Sequence, residues 1–175
     1  AINLMNQYEI KDNPKVAHER YSAVKDNIKL YDSTGRDMAW VESIAKSFKP
    51  DVVILDMGDK FAKTAGFARQ DEALKANAVH ARMIAKQYNC AIFYMSQLSA
   101  EAEGKVLLNQ SMMEGSRTGK AAEADLMILI AKNPVVEGQE EEDNQRHLNL
   151  VKNKLTGWHG VIHCELDYKT ARYTA

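Results

Sequence analysis

The chain has 175 residues, of which 45% are apolar, enough to bury one core and too few to require a second domain. Its 23 basic and 24 acidic side chains give a net charge of −1, so a nucleic-acid partner would need a local basic patch. Cys90 and Cys164 lie in predicted buried strands, which argues against a disulfide framework or zinc site and favours a reducing cytoplasm. No apolar stretch approaches the roughly 20 residues of a membrane span.

The first third of the chain contains one predicted strand and one predicted helix. Residues 1–27 are polar and weakly periodic, so we expect partial helix with a break at Pro14. Residues 28–33 (IKLYDS) predict a short strand that ends in turn formers. A helix is predicted to begin at Asp37, because apolar side chains then recur at three- and four-residue spacing. They are Val41, Ile44, Ala45 and Phe48.

Strands and helices alternate in the middle of the chain. Residues 52–55 are a continuous aliphatic run, typical of a strand covered on both faces of a parallel sheet. Helical spacing over 70–88 is followed by apolar strands at 91–95 and 126–130. This order predicts an α/β domain with a mostly parallel central sheet flanked by helices.

The final third changes character. Short alternating runs at 146–152, 161–167 and 171–174 predict a C-terminal antiparallel extension of the sheet. Residues 134–145 are acidic with no apolar face, which favours a surface loop over a docking site. We expect residues 1–175 to form a single domain.

Asp56 stands directly after the run 52–55, at the carboxyl end of a predicted strand. Ligands gather at such ends in open α/β sheets. A carboxylate there can hold Mg²⁺ beside nucleotide phosphates, directly or through water. The alternative is an aspartate that only caps the next turn.

Ser96 and Gln97 follow the next strand along the chain and are expected at the same sheet edge. A neutral amide can sense a terminal phosphate or position an attacking water without adding charge, and Ser96 can contribute to the same nucleotide site. The alternative is that both residues begin a turn.

A Gly-interrupted segment precedes the strand at 126–130. Its small and basic side chains suit contact with a nucleic-acid backbone, although the motif alone is weak. The segment consists of Gly115, Ser116, Arg117, Thr118, Gly119 and Lys120. It is not a phosphate-binding loop of the form GxxxxGK[ST], because the first glycine is one residue too close and Ala121 has no hydroxyl.

Lys152 and Lys154 lie on one face of a predicted strand. Like charges at this spacing repel unless an anion or acidic partner lies opposite, which indicates an anion site. Exposed edge-strand lysines that oppose aggregation are the alternative.

The order of these elements over residues 28–174 resembles the core of DnaB-type hexameric replicative helicases and phage primase-helicases. The shared pattern is hhhhD, hhhxSQL, a Gly/Ser-rich loop ending in AD, and K-x-[RK]-x-TG. The resemblance implies a RecA-like fold, with Asp56 as the Walker B aspartate and metal ligand and Gln97 as the phosphate sensor. It also implies that residues 115–120 face DNA and that Lys152 and Lys154 reach a neighbouring subunit's nucleotide.

The resemblance implies an ATP-dependent helicase that uses ATP or another NTP with Mg²⁺ and translocates on single-stranded DNA. It further implies a homo-hexamer or other ring, allows an attached primase domain, and places the protein in the cytoplasm, of the host if phage-encoded. The phosphate loop and catalytic glutamate of this family are not identifiable in residues 1–50, so the first part of the motor is expected to be missing and residues 1–175 to be inactive alone. A RecA/RadA-type recombination ATPase and a non-catalytic assembly module remain alternatives.

Overall fold

The computed structural model describes residues 7–62, 69–115, 117–134 and 143–175. The helices are α1 Gln7–Asp12, α2 Pro14–Ser22, α3 Met38–Phe48, α4 Gln70–Tyr88 and α5 Arg117–Glu123. The strands are β1 Val52–Leu55, β2 Ala91–Tyr94, β3 Leu126–Lys132, β4 Gln145–Asn153, β5 Gly160–Asp167 and β6 Arg172–Thr174. Short 3₁₀ turns occupy Lys25–Asn27, Gly58–Lys60, Ala100–Ala102 and Gln110–Met112.

The N-terminal segment is partly helical, as predicted. Pro14 separates α1 from α2 and is the first residue of α2, where its fixed φ suits a helix start. The strand predicted at residues 28–33 is wrong, because this segment is irregular and exposed. Leu30 is 97% exposed, so its apolar side chain has no layer to pack against.

Two helices and a parallel strand pair form the first core. Asp37 caps α3 by accepting a 2.9 Å hydrogen bond from the Trp40 amide, which confirms the predicted helix start. α3 and α4 are joined by a 2.7 Å contact between His80 Nε2 and a Glu42 carboxylate oxygen. This hydrogen bond lowers the pKa of Glu42. The buried cluster comprises Met38, Val41, Ala45, Leu55, Phe61, Ala81, Ile84 and Cys90.

The predicted C-terminal antiparallel extension is confirmed, with strand order β3-β4-β5-β6. Asn149 on β4 is 2% exposed and ties the loop before it to the sheet. Its side chain accepts from the Leu108 amide at 3.0 Å and donates to the Val106 carbonyl at 3.0 Å. A second core lies between this sheet, α5 and the loop that follows β2, and includes Leu108, Met112, Met113, Ala121, Met127, Leu129 and Ala131.

The mostly parallel central sheet is not found in the part of the chain that the structure describes. β1 and β2 form a two-stranded parallel sheet, while β3 pairs with β4 and belongs to the separate antiparallel sheet. The reason is local, since a hairpin brings β4 back along β3, whereas no ladder joins β2 to β3. Most of the predicted acidic loop, residues 135–142, lies outside the described residues.

Both sheets leave apolar side chains uncovered on one face. The exposed positions alternate along each strand and comprise Val52, Ile54, Phe93, Leu126, Ile128 and Ile130. Among the described helices, none combines the length and apolar character needed to cross a bilayer.

Candidate functional site

The loops that carry Asp56 and Gln97 leave the same end of two adjacent parallel strands. β1 and β2 pair in register up to Leu55 opposite Tyr94. The Met95 amide then donates to the Leu55 carbonyl at 3.1 Å, and the Gly58 amide donates to the Met95 carbonyl at 2.8 Å. The expected juxtaposition of these two loops at one sheet edge is therefore confirmed.

Asp56 is the first residue after β1, and its side chain is exposed. It makes no ion pair or hydrogen bond with the other described residues. An exposed carboxylate at a strand end fits the way Mg²⁺ is held beside phosphates, by one or two carboxylates and several waters. Asp56 could therefore contribute one ligand to such an ion.

Ser96 and Gln97 follow β2 but their side chains take different directions. The Ser96 hydroxyl donates to the Asp59 carboxylate and accepts from the Lys120 ammonium at 2.7 Å. Gln97 is exposed, and its carbonyl accepts from the Glu114 amide at 3.2 Å. Gln97 is therefore free to meet a ligand, whereas Ser96 is engaged within the protein.

A cavity of about 460 Å³ opens beside Gln97. It lies between the loop after β1, the start of α4 and the segment before α5. Its walls are mixed in charge, with Asp59, Lys60, Arg69, Gln70, Asp71, Leu74, Gln97, Glu114 and Gly115. The cavity thus connects the strand-end loops with the predicted DNA-facing segment.

A buried ion pair joins the loop after β1 to α5. The Lys120 ammonium lies 2.9 Å from Asp59 Oδ2 and 2.6 Å from the Glu114 carbonyl oxygen, in addition to Ser96. All three ammonium protons therefore have acceptors. The Lys120 side chain is 4% exposed and that of Asp59 16%. Sequence reasoning missed Asp59, although an acid three residues after Asp56 was visible.

Aromatic and glycine contacts enclose this pair. The Tyr94 hydroxyl lies 3.4 Å from Asp59 Oδ1, and burial, followed by the Asp59 charge, raises the pKa of Tyr94. A Cβ on Gly58 would stand 2.6 Å from the Tyr94 ring. A side chain at Gly58 therefore cannot be added without displacing the aromatic ring.

The segment predicted to face DNA is less loop-like than expected. α5 begins at Arg117, so Arg117, Thr118, Gly119 and Lys120 belong to a helix. Ser116 lies outside the described residues. Lys120 is buried and ion-paired, so in this conformation its ammonium cannot reach a nucleic-acid phosphate, and its predicted contact is corrected here.

Lys152 and Lys154 lie close to one another at the end of β4, but both are engaged. Lys152 donates to the carbonyls of Ala121 and Ala122 at the end of α5, and burial lowers the pKa of Lys152, as does the Lys154 charge. Lys154 lies 3.2 Å from Asp125 Oδ1. Any anion that recruits Lys154 must therefore compete with Asp125.

Arg82 on α4 joins the same cluster and was not singled out from the sequence. Its guanidinium lies 3.0 Å from Asp125 Oδ1 and also donates to the Glu123 carbonyl. The helical period alone could not have shown this contact, because Glu123 and Asp125 are distant in sequence. The cluster therefore holds three cations around one aspartate.

The remaining histidines and cysteines do not form a metal centre. His163 pairs with His147, with 2.8 Å between their Nδ1 atoms. Within the described ranges, no group of three or more His, Cys, Asp or Glu side chains is placed to hold a metal ion. Cys90 and Cys164 are free thiols, and burial raises the pKa of Cys90.

The chain has the fold of DnaB-like helicase ATPase domains. No protein-family model matches the sequence, and no curated protein matches it. Among solved structures, it is similar to the isolated ATPase domain of a DnaB-like helicase at 15% identity with a TM-score of 0.76, over 98% of this chain and 66% of the other. It is also similar to a DnaB-like replicative helicase described with its primase interactions, at 13% identity and a TM-score of 0.75, over 98% and 46% respectively. The chain thus spans less than two thirds of either structure.

Proposed function

We propose that residues 1–175 are part of an ATP-dependent replicative DNA helicase that moves along single-stranded DNA and unwinds duplex DNA. The observation that carries this proposal is the placement of Asp56 and Gln97 after two adjacent parallel strands, at one sheet edge. This edge is where nucleotide sites form in open α/β sheets. The shared fold of helicase ATPase domains supports the same interpretation.

Asp56 would hold the Mg²⁺ that accompanies ATP or another NTP, and the bound ion would neutralise phosphate charge during hydrolysis. Gln97 would sense the terminal phosphate through its amide, because it is exposed and lines the cavity. Ser96 would act behind Gln97 through its hydrogen bonds, without touching nucleotide.

Lys152 and Lys154 would serve the nucleotide of an adjacent subunit in a homo-hexamer or other ring. Their clustering at the end of β4 supports this role, since an anion would relieve the repulsion between them. Lys154 would have to leave Asp125 to do so, and because that ion pair is exposed to solvent, breaking it costs little free energy.

Single-stranded DNA would contact the segment around Gly115 through backbone and small side chains, with Lys120 excluded. A primase partner is part of the same proposal, by analogy with the DnaB-like structure described with primase.

Coverage and exposed strand faces both support a longer natural protein. Parallel strands are ordinarily covered on both faces, yet Val52, Ile54 and Phe93 are exposed. We propose that further elements of the motor, including a phosphate-binding loop, cover this face. Residues 1–175 alone should show negligible NTP hydrolysis, because backbone N–H groups of such a loop supply much of nucleotide binding.

The test uses the natural-length protein that contains these residues. The variant Lys152→Met/Lys154→Met should lose NTP hydrolysis and keep nucleotide binding, while Lys86→Met, an exposed lysine on α4, serves as the matched control. Lys154→Met alone separates loss of the phosphate contact from loss of the α5 contacts made by Lys152.

Two results would redirect the proposal. Unchanged hydrolysis in the double variant, or none in the unaltered protein, would favour a non-catalytic assembly module. Strand exchange without strand separation on forked DNA would favour a RecA/RadA-type recombination ATPase.

A further inference from the structure

Lys120 is the most enclosed cation among the described residues that carry an ion pair. Its ammonium is saturated by Asp59, Ser96 and the Glu114 carbonyl. The proposed nucleotide chemistry does not use this pair, and a nucleic acid cannot reach the ammonium while it is buried. The pair therefore needs a role of its own.

The three acceptors of Lys120 belong to three different segments. Asp59 stands in the turn that follows Asp56, and Ser96 directly precedes Gln97. Glu114 precedes Gly115 and is bonded through its amide to the Gln97 carbonyl. One side chain thus fastens the two strand-end loops and the segment before α5 to a common point.

The packing around this point leaves little room for independent movement. A Cβ on Gly115 would stand 2.4 Å from Leu74 Cδ1, and a Cβ on Gly58 would meet the Tyr94 ring. A displacement of the loop after β2 therefore has to be shared by the start of α5 or has to break the ion pair. Breaking it would leave a buried charge without its partner, which is costly.

We propose that Lys120 is a positioning residue that transmits nucleotide occupancy at Asp56 and Gln97 to the DNA-facing segment around Gly115, through its bonds to Asp59 and Ser96. This inference rests on the proposed function and adds the side chains that perform the coupling. Coupling between two sites is a free energy, so it is measured as the factor by which one ligand changes the affinity for the other.

The experiment measures binding of a fluorescein-labelled oligothymidine to the natural-length protein, with and without adenosine imidotriphosphate and Mg²⁺. The ratio of the two dissociation constants is the coupling factor, typically about 5- to 150-fold in coupled proteins. In Lys120→Met and Asp59→Asn we expect this factor to fall to within about twofold of one. The control Lys86→Met should keep the factor of the unaltered protein.

A second readout separates positioning from direct contact. DNA phosphate contacts release counterions, so removal of one reduces the slope of log affinity against log salt by about one. Lys120→Met should keep the slope of the unaltered protein. A reduced slope would overturn the proposal in favour of direct DNA contact by Lys120.

Folding is controlled with a variant that removes both charges. If Lys120→Met or Asp59→Asn alone does not fold, Asp59→Asn/Lys120→Met leaves no unpaired charge and carries the same expectation for the coupling factor. An unchanged factor in a folded variant overturns the coupling role and leaves the proposed function intact. A factor of one in the unaltered protein, without nucleotide binding, overturns the proposed function itself.

Discussion

The ammonium of Lys154 lies 3.2 Å from Asp125 Oδ1, and the Arg82 guanidinium lies 3.0 Å from the same oxygen. These contacts join the turn after β4, the residue before β3 and helix α4. Hydrogen bonds from Lys154 and then Arg82 hold the pKa of Asp125 below its usual range. This relationship gives the fold a dependence on pH that can be measured.

Asp125→Asn should reduce stability at neutral pH and have less effect in acid. A carboxylate with a lowered folded pKa stabilises above its unfolded value of about 3.9, and the contribution disappears as pH falls through the folded pKa. Because the Asp125 side chain is 58% exposed, solvent screening limits the effect to less than about 1 kcal/mol.

Urea unfolding at pH 7 and near pH 3 measures this contribution. The midpoint of the variant should be lower than that of the unaltered chain at pH 7, with the gap narrowing in acid. Asp26→Asn, an exposed aspartate near the N-terminal helices, is the control. Equal gaps at both pH values would contradict the role of the Asp125 charge.

Ile84→Ala should be among the costlier single changes in the first core. Ile84 is 1% exposed on α4, and removing a buried branched side chain at such a site costs about 2–5 kcal/mol. Its neighbour Met83 is 57% exposed, so Met83→Ala should change stability by no more than about 0.5 kcal/mol. Chemical denaturation of both variants makes the comparison, and similar losses would place the core elsewhere.

Gly115→Ala should destabilise more than Gly104→Ala. Both glycines have positive φ, at 77° and 68°, so each substitution adds backbone strain of about 1–2 kcal/mol. Only at Gly115 would the new Cβ meet another side chain, Leu74. The difference between the two variants in free energy of unfolding therefore isolates this contact. A smaller loss at Gly115 would show that Leu74 moves aside freely.

Asn149→Leu should loosen the loop that precedes the 3₁₀ turn at Gln110–Met112. The substitution leaves the Leu108 amide and the Val106 carbonyl without their side-chain partner, at about 1–3 kcal/mol for each group left unpaired. Hydrogen exchange of the Leu108 amide should accelerate together with the loss in unfolding free energy. Unchanged protection of that amide would mean that another acceptor replaces Asn149.

Local patterns predicted the elements of the core well. The aliphatic runs at 52–55 and 91–95, the helical spacing over 70–88 and the short C-terminal strands all correspond to observed elements. Asp37 was recognisable as a cap because its chemistry acts within one helical turn. Residues 28–33 misled because their apolar side chains resemble a strand, yet nothing covers them in the fold.

Contacts between distant segments were beyond such patterns. The strand ends at Asp56 and Gln97 could be placed together because parallel strands share an edge. The partner of Lys120 could not, since Asp59 is 61 residues away and nothing local favours that pairing. The sheet arrangement failed for a similar reason, because β3 has an equally good partner in the hairpin strand β4.

The uncovered faces of β1, β2 and β3 have a practical consequence for the purified chain. Aliphatic and aromatic side chains at Ile54, Phe93 and Ile130 stand in water beside strand edges with unpaired backbone groups. Such edges recruit strands from other molecules. Residues 1–175 expressed alone should therefore self-associate as concentration rises, and light scattering should detect this before any loss of secondary structure.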